Sequence, residues 1–190
     1  MEIGRLTCVR SGFYTVQCQT EEVICRPRGR LKLLAKEGDA MSIGDEVQIS
    51  RLPDGSGMVE NVLPRVRELV RMAPMPRNRG QYRQVLLANP DQVLLVFACA
   101  QPAPSLRMLD RFLVICEKQG IPPLIVANKV DLIGEQAARE LFAPYPPLGY
   151  RVIFTSARQK IGLEELQDAL VGRLSGLAGP SGVGKSSLLN

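Results

Sequence analysis

The chain has 190 residues, 45% hydrophobic and 23% charged, a composition typical of a globular protein with one large or two small domains. It contains no His, which excludes a Ser-His-Asp or Cys-His catalytic unit and any His-containing metal site within these residues. The net charge is +5. Residues 1–90 carry 14 basic and 10 acidic side chains, whereas residues 91–190 carry 10 and 9, so most of the excess positive charge lies in the first half. We therefore expect two parts with different partners.

Residues 1–65 predict a small all-β barrel. Short segments rich in β-branched and aromatic residues are separated by glycine-containing turns, and none shows a helical period. The predicted strands are Ile3–Val9, Phe13–Gln19, Glu22–Arg26, Asp45–Ser50 and Met58–Leu63. About five strands in about 60 residues are typical of such a barrel.

Residues 66–90 are interpreted as a basic linker. The stretch from residue 64 to residue 90 holds four prolines, and its six arginines stand against the single acid Glu68. Those arginines are Arg65, Arg67, Arg71, Arg77, Arg79 and Arg83. They are open to two interpretations, a second RNA contact or a solvated connector.

Residues 91–190 alternate between strands and helices. The predicted strands are Val93–Ala98, Leu124–Ala127, Tyr150–Phe154 and Ser175–Ala178; the predicted helices are Ser105–Gln119, with Ser105 as N-cap, Glu135–Phe142 and residues 162–174. The continuous apolar run of the first strand indicates burial on both faces. The alternation predicts an α/β domain built on a parallel sheet.

Five cysteines, at positions 8, 18, 25, 99 and 116, form no C-x-x-C pair or finger spacing. We interpret them as reduced, partly buried thiols of a cytoplasmic protein. The first residues lack the layout of a signal peptide, and the longest apolar run, Val93–Ala100, is too short to span a bilayer.

A glycine-rich segment near the end of the sequence fits the phosphate-binding pattern G-x-x-x-x-G-K-[ST]. It consists of Gly179, Pro180, Ser181, Gly182, Val183, Gly184, Lys185 and Ser186, and it follows a predicted strand. The glycines allow backbone N–H groups to turn toward a phosphate. Lys185 would neutralise β- and γ-phosphate charge, and the Ser186 hydroxyl would ligate Mg²⁺ at the start of a helix that continues with Ser187.

The motif N-K-x-D, formed by Asn128, Lys129, Val130 and Asp131, follows the second predicted strand of the α/β region. Asp131 can accept hydrogen bonds from both N1–H and the 2-amino group of guanine, a pattern that adenine does not offer. The stem of Lys129 can lie over the purine face, and Asn128 would brace the loop. Alone, the four residues fit a helix-capping turn equally well.

Thr155, Ser156 and Ala157 follow the third strand, and a backbone N–H of Ser156 or Ala157 could donate to guanine O6. All three motifs end predicted parallel strands, so they fall on one edge of the sheet, where open α/β folds bind ligands. The order is unusual because N-K-x-D begins at residue 128 and the glycine-rich motif only at residue 179.

In this order of motifs the sequence resembles the circularly permuted GTPases, specifically the ribosome small-subunit-dependent GTPase A family (RsgA, YjeQ or EngC). Further segments that carry the resemblance are R-G-R-L-K at 28–32, V-E-N-V-L-P-R at 59–65, N-P-D-Q-V at 89–93, P-S-L at 104–106, L-D-R-F-L at 109–113 and P-L-I-V at 123–126. The resemblance implies an OB-fold barrel, a permuted GTPase domain over residues 91–190, and GTP hydrolysis coupled to late maturation of the small ribosomal subunit. It also implies Mg²⁺ with GTP and a monomer acting with the small subunit and its rRNA.

A run of basic residues in the barrel is the candidate RNA contact. Arg26, Arg28, Arg30, Lys32 and Lys36 have no acid between them, and such a stripe can bind RNA phosphates. A solvated barrel edge explains the charge equally well, and the family resemblance favours rRNA. Aromatic residues are few, and Phe13 and Tyr14 are the candidates for base stacking.

The sequence departs from the family after the glycine-rich motif. The family continues with a switch loop, a D-x-P-G motif and a zinc-binding domain, none of which stands in these 190 residues. We therefore expect a C-terminally truncated chain with an incomplete GTPase domain, no zinc ligands and negligible GTPase activity on its own. The alternative is a non-catalytic RNA-binding protein that carries an inert nucleotide half-site.

Overall fold

The computed structural model describes residues 1–29, 31, 41–74 and 81–189. The chain divides into two compact units, Met1–Asn89 and Pro90–Asn190. Each unit is described by itself below. Among the described residues, no helix is long and apolar enough to cross a membrane.

A closed five-stranded barrel forms most of the first unit. Its strands are β1 (Glu2–Arg10), β2 (Phe13–Gln17), β3 (Glu22–Pro27), β4 (Glu46–Arg51) and β5 (Gly57–Val62), joined in the order β1-β2-β3-β5-β4. All neighbours are antiparallel except β3 and β5, and β4 pairs with β1 to close the barrel. The predicted barrel is confirmed, and each predicted strand differs from the observed one by at most two residues at either end.

Alternation along the strands creates the barrel core. In β3 every second residue is buried, so Val23 and Cys25 point inward while Ile24 and Arg26 point outward. The same two-residue period buries Leu6 of β1 and Val16 of β2, neither of which has exposed surface. Tyr14, a candidate for base stacking, is one of these core residues and is 8% exposed.

A two-stranded antiparallel hairpin follows the barrel. It consists of β6 (Glu68–Pro74) and β7 (Gln81–Ala88), whereas the sequence predicts no strand in residues 66–90. Arg65 precedes β6 and forms two hydrogen bonds with the fully buried carboxylate of Asp45, Nε to Oδ1 at 2.6 Å and Nη2 to Oδ2 at 2.8 Å. This ion pair fixes the chain leaving the barrel against the start of β4.

The second unit is built on a four-stranded parallel sheet. Its strands are β8 (Gln92–Ala98), β9 (Pro123–Asn128), β10 (Val152–Thr155) and β11 (Ser175–Ala178), in the spatial order β10-β9-β8-β11. All seven residues of β8 are buried, as the apolar run predicts. The buried side chain of Gln92 ties the start of β8 to β11, because its Nε2 donates to Ser175 Oγ at 2.9 Å.

In the described part of this unit, four α-helices accompany the sheet: α1 (Leu106–Lys118), α2 (Glu135–Phe142), α3 (Leu163–Leu170) and α4 (Lys185–Leu189). Helix α1 packs on β8 and β9, whereas α2 and α3 pack on β10. Ser105 precedes α1 as predicted, but its hydroxyl makes no capping hydrogen bond. Helix α3 ends four residues earlier than predicted, since Gly172 adopts a φ of +70° and turns the chain toward β11.

Candidate functional site

The three motifs meet in one cavity of the second unit. The N-K-x-D segment begins at the last residue of β9, Ser156 and Ala157 follow β10, and the glycine-rich segment joins β11 to α4. The cavity has a volume of about 360 Å³ and is lined by Asn128, Lys129, Asp131, Ser156, Ala157, Gly184 and Ser187 of the predicted site, together with Gln101, Leu132 and Arg158. The expected convergence at the carboxyl ends of the strands is therefore observed.

Asn128 connects all three motifs. Its side chain is buried; Nδ2 donates to the carbonyl of Val183 at 2.9 Å, and Oδ1 accepts from the Thr155 hydroxyl at 3.1 Å. A buried amide that is satisfied on both sides holds its partners in one arrangement. The role expected of Asn128, bracing the loop, matches this geometry.

Lys129 makes a second link to the glycine-rich segment. Its backbone adopts the left-handed conformation, with φ of 62°, and its Nζ donates to the carbonyl of Gly182 at 2.7 Å and to the carbonyl of Gln101. The ammonium therefore bridges the loop after β8 and the loop after β11. Lys129 also lines the cavity, where the sequence predicts that its stem contacts a purine face.

Asp131 is oriented by Ser156. The Ser156 hydroxyl donates to Asp131 Oδ1 at 2.6 Å and accepts from the backbone N–H of Gln159 at 3.1 Å. One carboxylate oxygen is thereby fixed at the cavity wall. Cys99 lies behind this wall, and burial, together with the negative charge of Asp131, raises the pKa of its thiol to about 11.

The expected backbone donors after β10 are not equivalent. The N–H of Ser156 donates to the carbonyl of Ile161 at 3.0 Å, within an isolated bridge that the two residues form. A single N–H engaged in this way does not point at a ligand. Of the two donors that the sequence suggests, Ala157 is therefore the candidate for guanine O6.

Two glycines allow the phosphate-binding segment to approach its neighbours. At Gly184, with φ of +96°, an added Cβ would lie 2.4 Å from Asn128 Nδ2. At Gly179, with φ of +143°, it would lie 2.1 Å from the carbonyl oxygen of Val96 in β8. Both positions require the absence of a side chain as well as the unusual backbone angle. Val183, between them, is buried in the core of the second unit and anchors the segment.

Lys185 and Ser186 open helix α4. Nζ of Lys185 donates to the carbonyls of Gly179 at 2.9 Å and Pro180 at 2.6 Å, so the ammonium lies across the glycine-rich loop. Ser186 is exposed on the first turn of the helix. Pro180 and Ser181 complete the loop, whereas Val130 is buried beneath the N-K-x-D turn and does not line the cavity.

Three residues of the cavity wall are not predicted from the sequence: Leu132, Arg158 and Gln101. Leu132 and Arg158 directly follow the N-K-x-D and T-S-A motifs, so their proximity to those motifs is a usable signal. Gln101 lies in the loop after β8, which carries no recognised motif. Its position becomes visible only when the parallel sheet brings this loop beside Lys129.

The donor atoms suit a nucleotide-borne Mg²⁺ better than a resident metal. Within the described ranges, no three His, Cys, Asp or Glu side chains come together in a way that could hold a metal ion. A single hydroxyl, that of Ser186, fits an ion whose remaining ligands are phosphate oxygens and water. The same described residues offer no fit for a structural zinc, and all five cysteines are unpaired thiols.

The candidate RNA contacts of the barrel differ in availability. The guanidinium of Arg26 stacks over the Phe13 ring at 4.9 Å from its centroid, and both residues are exposed. Arg28 instead donates to Glu60, a nearly buried carboxylate that also accepts from Ser50. Arg30, Lys32 and Lys36 lie outside the described residues, as do Arg77 and Arg79. Arg65 is engaged with Asp45 and Glu68, so it is not available to RNA.

Comparison with protein families gives two matches. The model of the RsgA N-terminal domain matches residues 3–59, and the model of the RsgA GTPase matches residues 62–190. The second match begins at residue 62, so it includes the basic segment 66–90, which the sequence predicts to be a separate linker. Together the matches cover almost the whole chain.

Individual relatives agree with these matches. Two relatives carry the name small ribosomal subunit biogenesis GTPase RsgA. The protein from Alkaliphilus metalliredigens is 39% identical to this chain, over the whole chain and 60% of the relative. The protein from Gemmatimonas aurantiaca is 43% identical, over 90% of the chain and 56% of the relative. The chain thus spans about 60% of the length of the curated relatives it matches.

Solved structures are similar over the whole chain. The crystal structure of YjeQ from Thermotoga maritima superposes with a TM-score of 0.81 at 36% identity, over 64% of that protein. YloQ, described as a circularly permuted GTPase, superposes with a TM-score of 0.73 at 32% identity, over 63%. These similarities confirm the predicted fold class, an OB-fold barrel followed by a permuted, parallel α/β P-loop unit.

Proposed function

This chain belongs to the RsgA GTPase family, and we propose that its second unit binds GTP and GDP together with Mg²⁺. The observation that supports this proposal is the cavity that joins the N-K-x-D turn, the loop after β10 and Gly184 of the phosphate-binding segment. The N-K-x-D turn and the loop after β10 are weak signals alone, whereas the glycine-rich motif is specific for phosphate but does not identify the base. Their convergence around a space of about 360 Å³ suits a purine base with its phosphates directed toward α4.

Guanine selectivity is assigned to Asp131 and Ala157. The carboxylate of Asp131 would accept from guanine N1–H and the 2-amino group, and the Ala157 N–H would donate to O6. Ser156 keeps Asp131 in place through the 2.6 Å hydrogen bond to Oδ1. Because adenine presents an acceptor at N1 and a donor at position 6, it would leave these groups unpaired, which disfavours ATP strongly.

Phosphate binding is assigned to the backbone N–H groups of residues 182–187, to the ammonium of Lys185 and to the hydroxyl of Ser186. Lys185 already lies across the loop. With a nucleotide bound, its Nζ would neutralise charge on the β- and γ-phosphates. Mg²⁺, when bound, offsets phosphate charge and orients the phosphate oxygens. In hydrolysis, water attacks the γ-phosphorus, the bond to the β–γ bridging oxygen breaks, and GDP and inorganic phosphate leave.

For the whole protein we propose GTP hydrolysis coupled to maturation of the small ribosomal subunit, in the cytoplasm and as a monomer. The curated relatives carry the name of a small ribosomal subunit biogenesis GTPase. The first unit would contact rRNA through Arg26 and Phe13, whose exposed cation and ring suit phosphate and base, respectively. In the domain scheme that we propose, residues 1–65 are this RNA-binding barrel, residues 66–90 connect it, and residues 91–190 bind the nucleotide.

A competition experiment tests the nucleotide assignment. The 190-residue chain is titrated into a fluorescent GDP analogue with Mg²⁺, and GTP, ATP and xanthosine triphosphate compete for the site. We expect GTP to compete at least 100-fold better than ATP. Asp131→Asn should lower the affinity for GTP by about 100-fold and raise the affinity for xanthosine triphosphate, because an acceptor becomes a donor.

The matched control is Asp110→Asn, which changes an exposed acid of the same unit away from the cavity. It should leave all affinities unchanged. Equal affinities of wild type and Asp131→Asn for GTP and xanthosine triphosphate would refute the base assignment. Lys185→Ala should lower the affinity for nucleoside triphosphates more than the affinity for nucleosides. Its control is Lys160→Ala, which changes an exposed lysine outside the cavity lining.

A further inference from the structure

Helix α1 leaves a charged face uncovered. Leu109, Leu113 and Cys116 of this helix are buried against the sheet. On the opposite side, Arg107, Arg111 and Lys118 are exposed. At 3.6 residues per turn and a rise of 1.5 Å, these three cations lie within about 40° of one another around the axis and span about 16 Å along it.

In the described part of the chain, the acids of the helix contact tyrosine hydroxyls and form no ion pair with this stripe. The Tyr145 hydroxyl donates to Asp110 Oδ1 at 3.0 Å, and the Tyr150 hydroxyl donates to Glu117 Oε1 at 3.3 Å. Burial, followed by the contact with Asp110, raises the pKa of Tyr145 above its ordinary value, so this phenol remains a donor. Both acids are therefore engaged at one border of the helix.

Within the described residues, the three cations have no such partners. In the part of the chain that the structure describes, no ion pair involves an α1 cation. Each of the three guanidinium or ammonium groups is therefore available to an external anion. Since all three point the same way, they present a line of positive charge rather than a single site.

Exposed apolar side chains border the stripe on both sides. Val114 is 65% exposed on one side, and Met108 and Ile115 are 40% and 41% exposed on the other. A line of cations between apolar side chains suits a ligand with regularly spaced negative charge and flat apolar surfaces beside it. An RNA strand offers both, in its phosphates and in its ribose and base faces.

We propose that the α1 face, defined by Arg107, Arg111, Val114, Ile115 and Lys118, binds the phosphate backbone of an RNA segment. This contact is separate from the nucleotide cavity and from the barrel. The choice of RNA rather than an acidic protein rests on the proposed function, in which the partner is a small ribosomal subunit, and on the linear arrangement of the three cations. The α1 face thus gives the nucleotide-binding unit its own RNA-binding surface.

The test compares two triple variants of the 190-residue chain. Arg107→Gln/Arg111→Gln/Lys118→Gln removes the charge of the α1 face, and Arg139→Gln/Arg151→Gln/Lys160→Gln removes the same charge elsewhere on the unit. The probe is a fluorescein-labelled, 24-nucleotide single-stranded RNA of mixed sequence, followed by anisotropy from 50 to 300 mM KCl. Purified bacterial small ribosomal subunits, assayed by co-sedimentation, are the second probe.

We expect the α1 triple variant to bind the RNA about tenfold or more weakly at 100 mM KCl than the control triple variant. The slope of log K against log salt should fall by about 2 to 3, about one per cation removed, because fewer counterions are released. Binding to the subunits should weaken in parallel. The three single variants should each lower the slope by about 1, which keeps the test open if the triple variant folds poorly.

Two outcomes overturn the proposal. In the first outcome, the two triple variants bind the RNA with affinities that agree within twofold and with equal slopes of log K against log salt. In the other, subunit binding is lost while RNA binding is unchanged, which assigns the face to an acidic protein. Melting temperature and binding of the fluorescent GDP analogue verify that each variant is folded. A wild-type chain that binds RNA but no guanine nucleotide would refute the proposed function and leave this proposal standing.

Discussion

At the scale of single residues, Asn128 determines how the site is assembled. Its amide spans 2.9 Å to the Val183 carbonyl and 3.1 Å to the Thr155 hydroxyl, so one side chain sets the spacing of three loops. The sequence predicts a bracing role from the motif alone. It does not predict which carbonyl is braced, because Val183 lies 55 residues further along the chain.

Gly184→Ala should disrupt this assembly. The new Cβ would lie 2.4 Å from Asn128 Nδ2 and would occupy a backbone with φ of +96°. We expect guanine nucleotide affinity to fall by 100-fold or more, measured with the fluorescent GDP analogue. Gly149→Ala has a similar φ of +90° with nothing within 4 Å, so it carries the backbone strain alone, about 1–2 kcal/mol. Equal affinities in the two variants would show that the contact with Asn128 does not matter.

Cys99 should resist alkylation. Its pKa is raised to about 11, mainly by burial, so at pH 8 its thiolate fraction is about 100-fold lower than at the ordinary pKa of 9.0. We expect iodoacetamide, followed by peptide mass spectrometry, to modify Cys8 at least 100-fold faster than Cys99. The rate at Cys99 should keep rising toward pH 11, since the thiolate becomes populated there. A plateau near pH 9 would contradict the shift.

At the scale of elements, the sequence predicts the strands well where polar and apolar residues alternate between turn signals. In β3 the alternation directly reports which side chains enter the barrel. The hairpin β6–β7 escapes prediction because prolines and arginines obscure any period in residues 66–90. The pair Asp45–Arg65 escapes as well, since an ion pair between residues 20 positions apart leaves no local pattern.

Breaking that pair should loosen the chain where it leaves the barrel. Asp45→Ala removes the buried carboxylate that holds Arg65 and accepts the Ser42 N–H at 2.7 Å. We expect the free energy of unfolding to fall by about 3 kcal/mol, because the largely buried guanidinium loses the buried carboxylate and keeps Glu68 as an acidic partner. Native-state amide exchange in β4 and β6 gives the measurement.

The matched control for Asp45→Ala is Glu135→Ala, which breaks the exposed i,i+4 pair with Arg139 on α2. That change should lower the free energy of unfolding by no more than about 0.5 kcal/mol. If Asp45→Ala costs no more than the control, the pair does not hold β6 to the barrel.

At the scale of the whole molecule, the described lining of the nucleotide cavity lies entirely in the second unit. A ligand that binds only the folded state stabilises the unit that holds its site, by about 2.7 kcal/mol at 100 times the dissociation constant. We expect saturating GDP to slow amide exchange of core strands β8 and β9 by about 100-fold and to leave β1 and β4 unchanged. Equal protection of the barrel strands would show that the two units unfold as one.

The sheet order β10-β9-β8-β11 has a consequence for how the molecule folds. Strands β8, β9 and β10 pair with neighbours in the sequence, whereas β11 returns to β8, and Ser175 meets Gln92 across 83 residues. Closing so long a loop is slow relative to local pairing. We therefore expect the base-recognition loops to be in place first, and the phosphate-binding loop to join them in the last step of folding.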